Sequence, residues 1–268
     1  MSTASFTAAS RCNATIVSRR DVAEDRAIIR VRPDSEIPSF EPGQFITVGL
    51  PRPVEGEIGA DVRPAIIRRA YSIASAPGDA ELEFFVVLID AGRLTPHLWP
   101  LRAGGRLWMD NRCHGELTLR DVPAGVDLLL LATGTGIAPY VSMLRANAMK
   151  KRWRRLVLFH GVRTLGDAGY VDVMREQERA DPSIAYVPVI SRCEGPPPAG
   201  CRTGHVQQAF EPGVSESLGF RLNPADSHVF LCGNPAMVKS GQELLLQRGF
   251  AMHSRRRGDG NVHAERYW

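Results

Sequence analysis

The run Leu128-Leu129-Leu130-Leu131-Ala132, followed at once by Thr133-Gly134-Thr135-Gly136, constrains the fold more than any other stretch of the chain. A strand with one wet face alternates apolar and polar residues. A strand apolar at every position must be covered on both faces, as in a parallel sheet flanked by helices. The glycines then break the strand, and a helical stretch opens near residue 138. The same order repeats downstream: strand "RLVLFHGV", helix "VDVMREQERA", strand "AYVPVIS", helix "GHVQQAFE", strand "SHVFLCG", helix "PAMVKSGQELLLQRG". Repeated βα units predict a doubly wound parallel sheet that binds ligands at the carboxyl ends of its strands.

The first half has a different rhythm. "NATIVS", "AIIRVRP", "GQFITVGL", "RAYSIAS" and "ELEFFVVLI" are short, rich in β-branched and aromatic residues, and separated by proline and glycine. Helical sequence is scarce there, apart from a short stretch around Thr95–Trp99. The reading is an N-terminal antiparallel Greek-key β-barrel, residues 1–122, followed by an α/β domain, residues 123–268, with "DVPAGVD" as the boundary. A length of 268 residues is consistent with two cores.

Composition excludes several classes. Hydrophobic residues make up 44% and charged residues 23%, ordinary values for a globular protein. No apolar run is long enough to span a membrane. The Ser/Thr/Ala-rich start faintly resembles a transit peptide but reads better as a short lead-in to the first strand. Five cysteines (12, 113, 193, 201 and 232) form neither an even disulfide set nor a close-spaced metal or iron–sulfur cluster, so free thiols in a reducing cytoplasm are expected. The net charge of +4 is concentrated beyond residue 124, where 18 basic side chains face 13 acidic ones. That balance favours anionic ligands or partners but carries no nucleic-acid signature.

Four motifs carry chemistry. Glycines Gly134 and Gly136, between a strand and a helix, let the backbone approach a pyrophosphate while the helix N-terminus offers unpaired N–H groups. A ligand-free glycine turn has the same letters, and Pro139 departs from the usual third glycine. Arg163 ends the second parallel strand and Arg192 the third, where an NAD site would carry an acid. Two arginines there suit a 2′-phosphate, although surface arginines are common in a chain with 30 of them. Leu231-Cys232-Gly233-Asn234-Pro235 ends the fourth strand, beside the first. Cys232 there is read as a positioning residue, without nucleophilic chemistry. Arg69-Ala70-Tyr71-Ser72 offers a charge, a ring and a hydroxyl on one strand, yet spacing alone leaves an ordinary barrel strand as the better account.

"RAYS", "GRLTPHL", "LATGTGIAPY", "HGVR", "VISR", "LCGNPAMV" and the closing "HAERYW" occur in the order found in the ferredoxin/flavodoxin–NADP⁺ reductases, and from about Ile16 to Trp268 the chain resembles that family. The resemblance implies an FAD-binding barrel and an NADP(H)-binding α/β domain. It implies that Arg69 neutralises the FAD pyrophosphate, Tyr71 stacks on the isoalloxazine and Ser72 bonds near N5. Phe85, Val86, Val87 and Leu88 would line the flavin with Ala70, and Arg93, Leu94 and Thr95 would offer backbone donors to phosphate. Thr135 would lie close to both cofactors. Gly134, Gly136, Cys232, Gly233, Asn234 and Pro235 would border the NADP site, and Arg163, Ser191 and Arg192 would hold the 2′-phosphate. His205 stands where bacterial relatives carry a third arginine, which narrows the expected preference for NADP over NAD unless Arg202 compensates. Ser72 and Glu265 would tune N5 and orient the nicotinamide.

The activity so implied is electron transfer between NADPH and ferredoxin or flavodoxin. The alternatives are the reductase component of an oxygenase system, or a flavin-holding subunit without its own NADPH turnover. Acidic partners would dock near Arg255, Arg256 and Arg257, with Lys150–Arg155 a weaker candidate, on a protein expected to be a monomer. The chain's aromatic close, by the same resemblance, puts Tyr267 on the flavin face opposite Tyr71 and Trp268 on the adenine.

Overall fold

The computed structural model describes residues 11–52, 65–147, 152–211 and 213–267. Trp268, Lys150 and Lys151 lie outside the described residues, as do the first ten positions. No helix among those described is long and apolar enough to cross a membrane.

Six strands, β1 (Ala14–Ala23), β2 (Arg26–Pro33), β3 (Phe45–Pro51), β4 (Ile66–Ser72), β5 (Leu82–Val87) and β6 (Arg106–His114), form an antiparallel sheet in the order β4-β3-β6-β1-β2-β5. The sheet curls until its two edges meet. Ile73, just beyond β4, bridges Phe84 of β5, and the amide of Ala74 donates to the Glu83 carbonyl at 2.8 Å. This contact closes the sheet into a barrel. A four-residue helix, α1 (Thr95–Leu98), plugs one end.

The pleat explains why β5 is buried on both faces and apolar at every position but Glu83. Leu82, Phe84 and Val86 point into the barrel core, while Phe85 points the other way into a core shared with the second half. There Phe85 meets Tyr170 edge-on, ring centroids 5.5 Å apart. Glu83, on the same outward face, is buried and held by Arg145 at 2.8 Å, Arg30 at 3.0 Å and the Tyr170 hydroxyl at 3.0 Å. Burial alone would raise its carboxyl, but these partners outweigh that and hold it below the usual range.

The second sheet is wholly parallel: β7 (Val126–Thr133), β8 (Trp153–Val162), β9 (Ile184–Ile190), β10 (Arg202–Thr203), β11 (Ser227–Gly233) and β12 (Val262–Arg266), in the order β10-β9-β8-β7-β11-β12. Leu128 and Leu130 face the shared core and Leu129 and Leu131 the opposite one, as the uninterrupted apolar run requires. Helices α2 (Ala138–Asn147), α3 (Val171–Ala180) and α4 (Pro235–Gln247) connect strands. The direction of winding reverses between β7 and β11, which places the ligand crevice there.

Three elements differ from expectation. "GHVQQAFE" forms only a 3-10 turn, Val206–Phe210, because a glycine at φ +104° precedes it and the segment is too short to propagate a helix. β6 shows no clean alternation in sequence and was not anticipated. The segment Val262–Arg266, expected as tail, is a strand of the sheet, and Met252 bridges Val262.

Candidate functional site

Two cavities lie side by side at the carboxyl ends of β7 and β11. The first, of about 370 Å³, is walled by barrel residues Arg69, Ala70, Tyr71, Ser72, Phe85 and Val87, by Arg93, Leu94 and Thr95, and by Thr135, Glu265 and Tyr267 from the second half. The second, of about 670 Å³, is walled by Gly134, Thr135, Arg163, Ser191, His205 and Asn234, among others. Thr135 and Val87 border both, so the two cavities meet across the glycine turn.

The turn itself is tightly fitted. Gly134 sits at φ +52°, in the left-handed region that glycine enters without strain. At Gly136, a Cβ would stand 2.4 Å from the Cys232 carbonyl oxygen, so only glycine lets the turn pass β11 at this distance. His160 holds the turn from below: one ring nitrogen lies 2.8 Å from the Gly134 carbonyl and the other 3.0 Å from the Tyr186 hydroxyl. Its burial lowers the imidazole pKa to about 4, so the ring is neutral at physiological pH and acts as a fixed strut. Across the crevice the Thr133 hydroxyl accepts from the Asn234 amide at 2.8 Å. Asn234 in turn caps α4 by accepting from Ala236 at 2.8 Å and Met237 at 3.3 Å. The two strand ends that flank the switch point are thereby fixed to each other.

The first cavity is apolar on its broad walls and polar at one point. There the Tyr267 hydroxyl donates to Ser72 Oγ at 2.8 Å, and the Ser72 hydroxyl donates to Glu265 Oε1 at 3.1 Å. Burial pushes the Glu265 carboxyl up to about 7, only partly offset by the Ser72 bond, so it exchanges a proton near neutrality. The phenol of Tyr267 is raised well above its usual range by burial and stays protonated. Tyr71 meets Phe84 edge-on at 6.2 Å, which supports its ring from behind. Arg69 stands exposed at the rim.

Several expected site residues stand elsewhere. Val86 points into the barrel core because it alternates with Val87, and the Leu88 amide is spent on the Asp25 carbonyl at 2.8 Å. Cys232, read as a positioning residue at the nicotinamide, is fully buried and lines neither cavity; burial raises its thiol far above the usual range. Gly136, Gly233 and Pro235 shape the walls from behind without lining them. At Gly233, φ is +127° and a Cβ would fall 2.3 Å from Thr133 Oγ1. The Arg192 amide donates to the Arg163 carbonyl at 2.9 Å, while its side chain is exposed and outside the second cavity's wall. Sequence reasoning missed His160, Phe45, Arg26 and Asp167. His160 sat inside a quoted motif; the others carry no local signal.

Residues 130–243 match the oxidoreductase NAD-binding domain family. The chain is 36% identical over 231 residues to the flavodoxin/ferredoxin–NADP reductase of Escherichia coli (strain K12), covering 85% of this chain and 88% of that protein. It is 30% identical over 237 residues to the ferredoxin–NADP reductase of Azotobacter vinelandii, covering 85% and 86%. Among solved structures, a ferredoxin NADP⁺ reductase from Neisseria gonorrhoeae with bound FAD and NADP superposes with a TM-score of 0.80 at 27% identity, covering 95% of this chain and 97% of that one. Two adjoining cavities on this fold, with relatives of this identity over most of their length, lead to one conclusion: the chain belongs to the flavodoxin/ferredoxin–NADP reductase family.

Proposed function

We propose that this protein carries electrons between NADPH and ferredoxin or flavodoxin by way of FAD, with the flavin in the first cavity and the dinucleotide in the second. The observation that carries this reading is the meeting of the two cavities at Thr135 and Val87, which would let two flat rings come face to face. The residues fit the groups. The first cavity offers two tyrosines, apolar walls and a rim arginine for a flavin nucleotide, and the second a glycine turn and Arg163 for phosphates. Bound FAD would supply the conversion between hydride and single-electron transfer.

The protein's own residues hold, orient and screen. Tyr71 gives a flat face, Arg69 a charge at the rim, and Arg93-Leu94-Thr95 a wall whose shape is fixed by Thr95 bonding both the amide and carbonyl of Ile89. Tyr267, Ser72 and Glu265 form a chain that can hold or pass a proton at Ser72 Oγ. Residues 1–122 make up the flavin-binding unit and 123–268 the dinucleotide-binding one. Tyr267 reaches back from the second to the first, and by family resemblance Trp268 would stack on the adenine of FAD. Partners are acidic proteins, met by Arg256 and its neighbours Arg255 and Arg257. Arg255 and Arg257 each have a nearby acid, Glu116 at 3.8 Å and Asp259 at 3.0 Å, so the local field is milder than three arginines would give. The protein acts as a monomer.

The test is rapid-mixing reduction by NADPH and NADH, followed by mixing with ferredoxins and flavodoxins. Retained flavin, faster reduction by NADPH, and onward transfer support the reading. Purified protein that retained no flavin and left NADPH untouched would overturn it.

A further inference from the structure

Arg26 opens β2 directly after the two-residue turn Glu24-Asp25 and pairs with Val87 of β5, which with Thr135 borders both cavities. It is 9% exposed, unusual for an arginine, and its side chain forms part of the wall of the dinucleotide cavity. Arg163 forms part of the same wall from the end of β8. Both guanidinium groups are held by the same two carboxylates. Arg26 Nη1 donates to Asp25 Oδ1 at 2.9 Å and to Asp167 Oδ1 at 2.7 Å. Arg163 Nη2 donates to both Asp25 oxygens at 3.0 Å, and its Nε to Asp167 Oδ2 at 3.0 Å. Asp167 also accepts from the Thr164 amide at 3.2 Å, within a capping box, so its position is fixed.

We infer that Arg26 is a second phosphate-binding arginine of the dinucleotide site, contributed by the barrel, and that with Arg163 it recognises the 2′-phosphate of NADP(H). The two arginines line the cavity, whereas Asp25 and Asp167 do not. The acids therefore orient the cations without occupying the place of the ligand. The arrangement is also incomplete as it stands. Arg26 Nε is buried without an acceptor, which a stable structural ion pair would avoid and which the oxygens of a phosphate can remedy. The pyrophosphate is the less suitable occupant, since the glycine turn and the α2 approach already supply donors for it. Arg26 shares its carboxylates with Arg163, and Ser191 and His205 border the same cavity. With histidine at position 205, the barrel arginine replaces part of the positive charge that the family resemblance expects there.

The four charges sum to zero, which has a consequence for selectivity. A dianionic phosphate is attracted by the two guanidinium groups and repelled by two carboxylates one layer behind them. Asp25 therefore moderates the preference for NADP over NAD. Because Arg26 and Asp25 belong to the barrel, and Arg163 and Asp167 to the α/β half, phosphate binding also bears on the contact between the halves.

The inference rests on the dinucleotide reading of this cavity, and the experiment separates the two. Flavin-loaded full-length protein is titrated with NADP⁺, NAD⁺, 2′,5′-ADP and 5′-ADP, read by calorimetry and flavin difference spectra. Wild-type protein should favour the 2′-phosphorylated member of each pair; binding without that preference overturns the inference, and no binding of any of the four overturns the dinucleotide reading itself. Arg26→Gln should weaken NADP⁺ and 2′,5′-ADP by about tenfold, as loss of a charge-assisted bond implies, while NAD⁺ changes by less than about twofold. Arg26→Lys should recover part of the loss. A purely structural Arg26 would weaken both members of each pair equally or neither, and that result overturns the inference. Asp25→Asn keeps the shape and removes one negative charge, so it provides an answer even if Arg26→Gln folds poorly. It should tighten NADP⁺ and leave NAD⁺ unchanged, and an unchanged or weakened NADP⁺ affinity would count against the proposal.

Discussion

Glu265 is the group whose titration should leave the clearest mark. Its carboxyl is pushed by burial from 4.5 to about 7, while it keeps one hydrogen bond from Ser72. In the unfolded chain the same carboxyl ionises in the ordinary range. Below about pH 4 both states hold the proton and nothing is lost. Between the two values the native state binds a proton the unfolded state has released, so stability falls as pH rises. Above about pH 7 both are ionised, and the native state carries the full cost of a buried carboxylate. At 1.36 kcal/mol per pKa unit, this comes to about 3 kcal/mol between pH 4 and pH 8. Glu265→Gln keeps the shape and the acceptor for Ser72 but cannot ionise. The assay is urea unfolding of flavin-free wild type and variant across that range, compared as a difference so that other titrating groups cancel. The variant's advantage should grow toward alkaline pH by about that amount. Parallel curves would mean that Glu265 titrates as it does in the unfolded chain and that burial does not raise its carboxyl.

Asn234→Ala removes the acceptor for two amides at the start of α4 and should cost about 1 kcal/mol, seen as a fall of a few degrees in Tm. The two turn glycines should respond unequally. Gly136→Ala forces a Cβ against the Cys232 carbonyl and should cost about 1–3 kcal/mol. Gly134→Ala meets no atom within 4 Å and should cost only the strain of its positive φ, about 1 kcal/mol. Thermal unfolding that reversed this order would contradict the close approach of the turn to β11. Tyr267→Ser empties part of the cavity wall and should tighten nicotinamide binding while slowing product release, measured by NADP⁺ difference spectra and single-turnover kinetics; unchanged affinity would remove Tyr267 from any gating role.

What was legible in the sequence was periodic. The leucines of β7 announced a strand covered on both faces, and the alternation of strand and helix after it announced the winding of the sheet. The glycine turn and Arg163 were legible because their chemistry depends on place in a βα unit, which the pattern fixes. Val86 shows what the motif alone does not carry: Phe85 and Val87 border the first cavity, and the pleat turns the Val86 side chain between them into the barrel core. β12 was hidden because its alternation, Val262-His263-Ala264-Glu265, is only four residues long, and it pairs with β11 across the 28 residues 234–261, in part of the chain that reads as loop and helix. Arg26 and Asp167 lie 141 positions apart, and their bond was invisible for the same reason. Local propensity carries nothing about partners chosen by tertiary folding.

The placement of β12 also orders events during synthesis. The barrel can close once β6, ending at His114, has left the ribosome, but Glu265 and Tyr267 join the first cavity only after residue 266 has paired alongside Gly233. During that interval the nascent chain would present a formed barrel whose ligand face lacks its last wall. The last strand in the chain therefore supplies the last wall of the first cavity, and completing the sheet and completing that cavity are a single step.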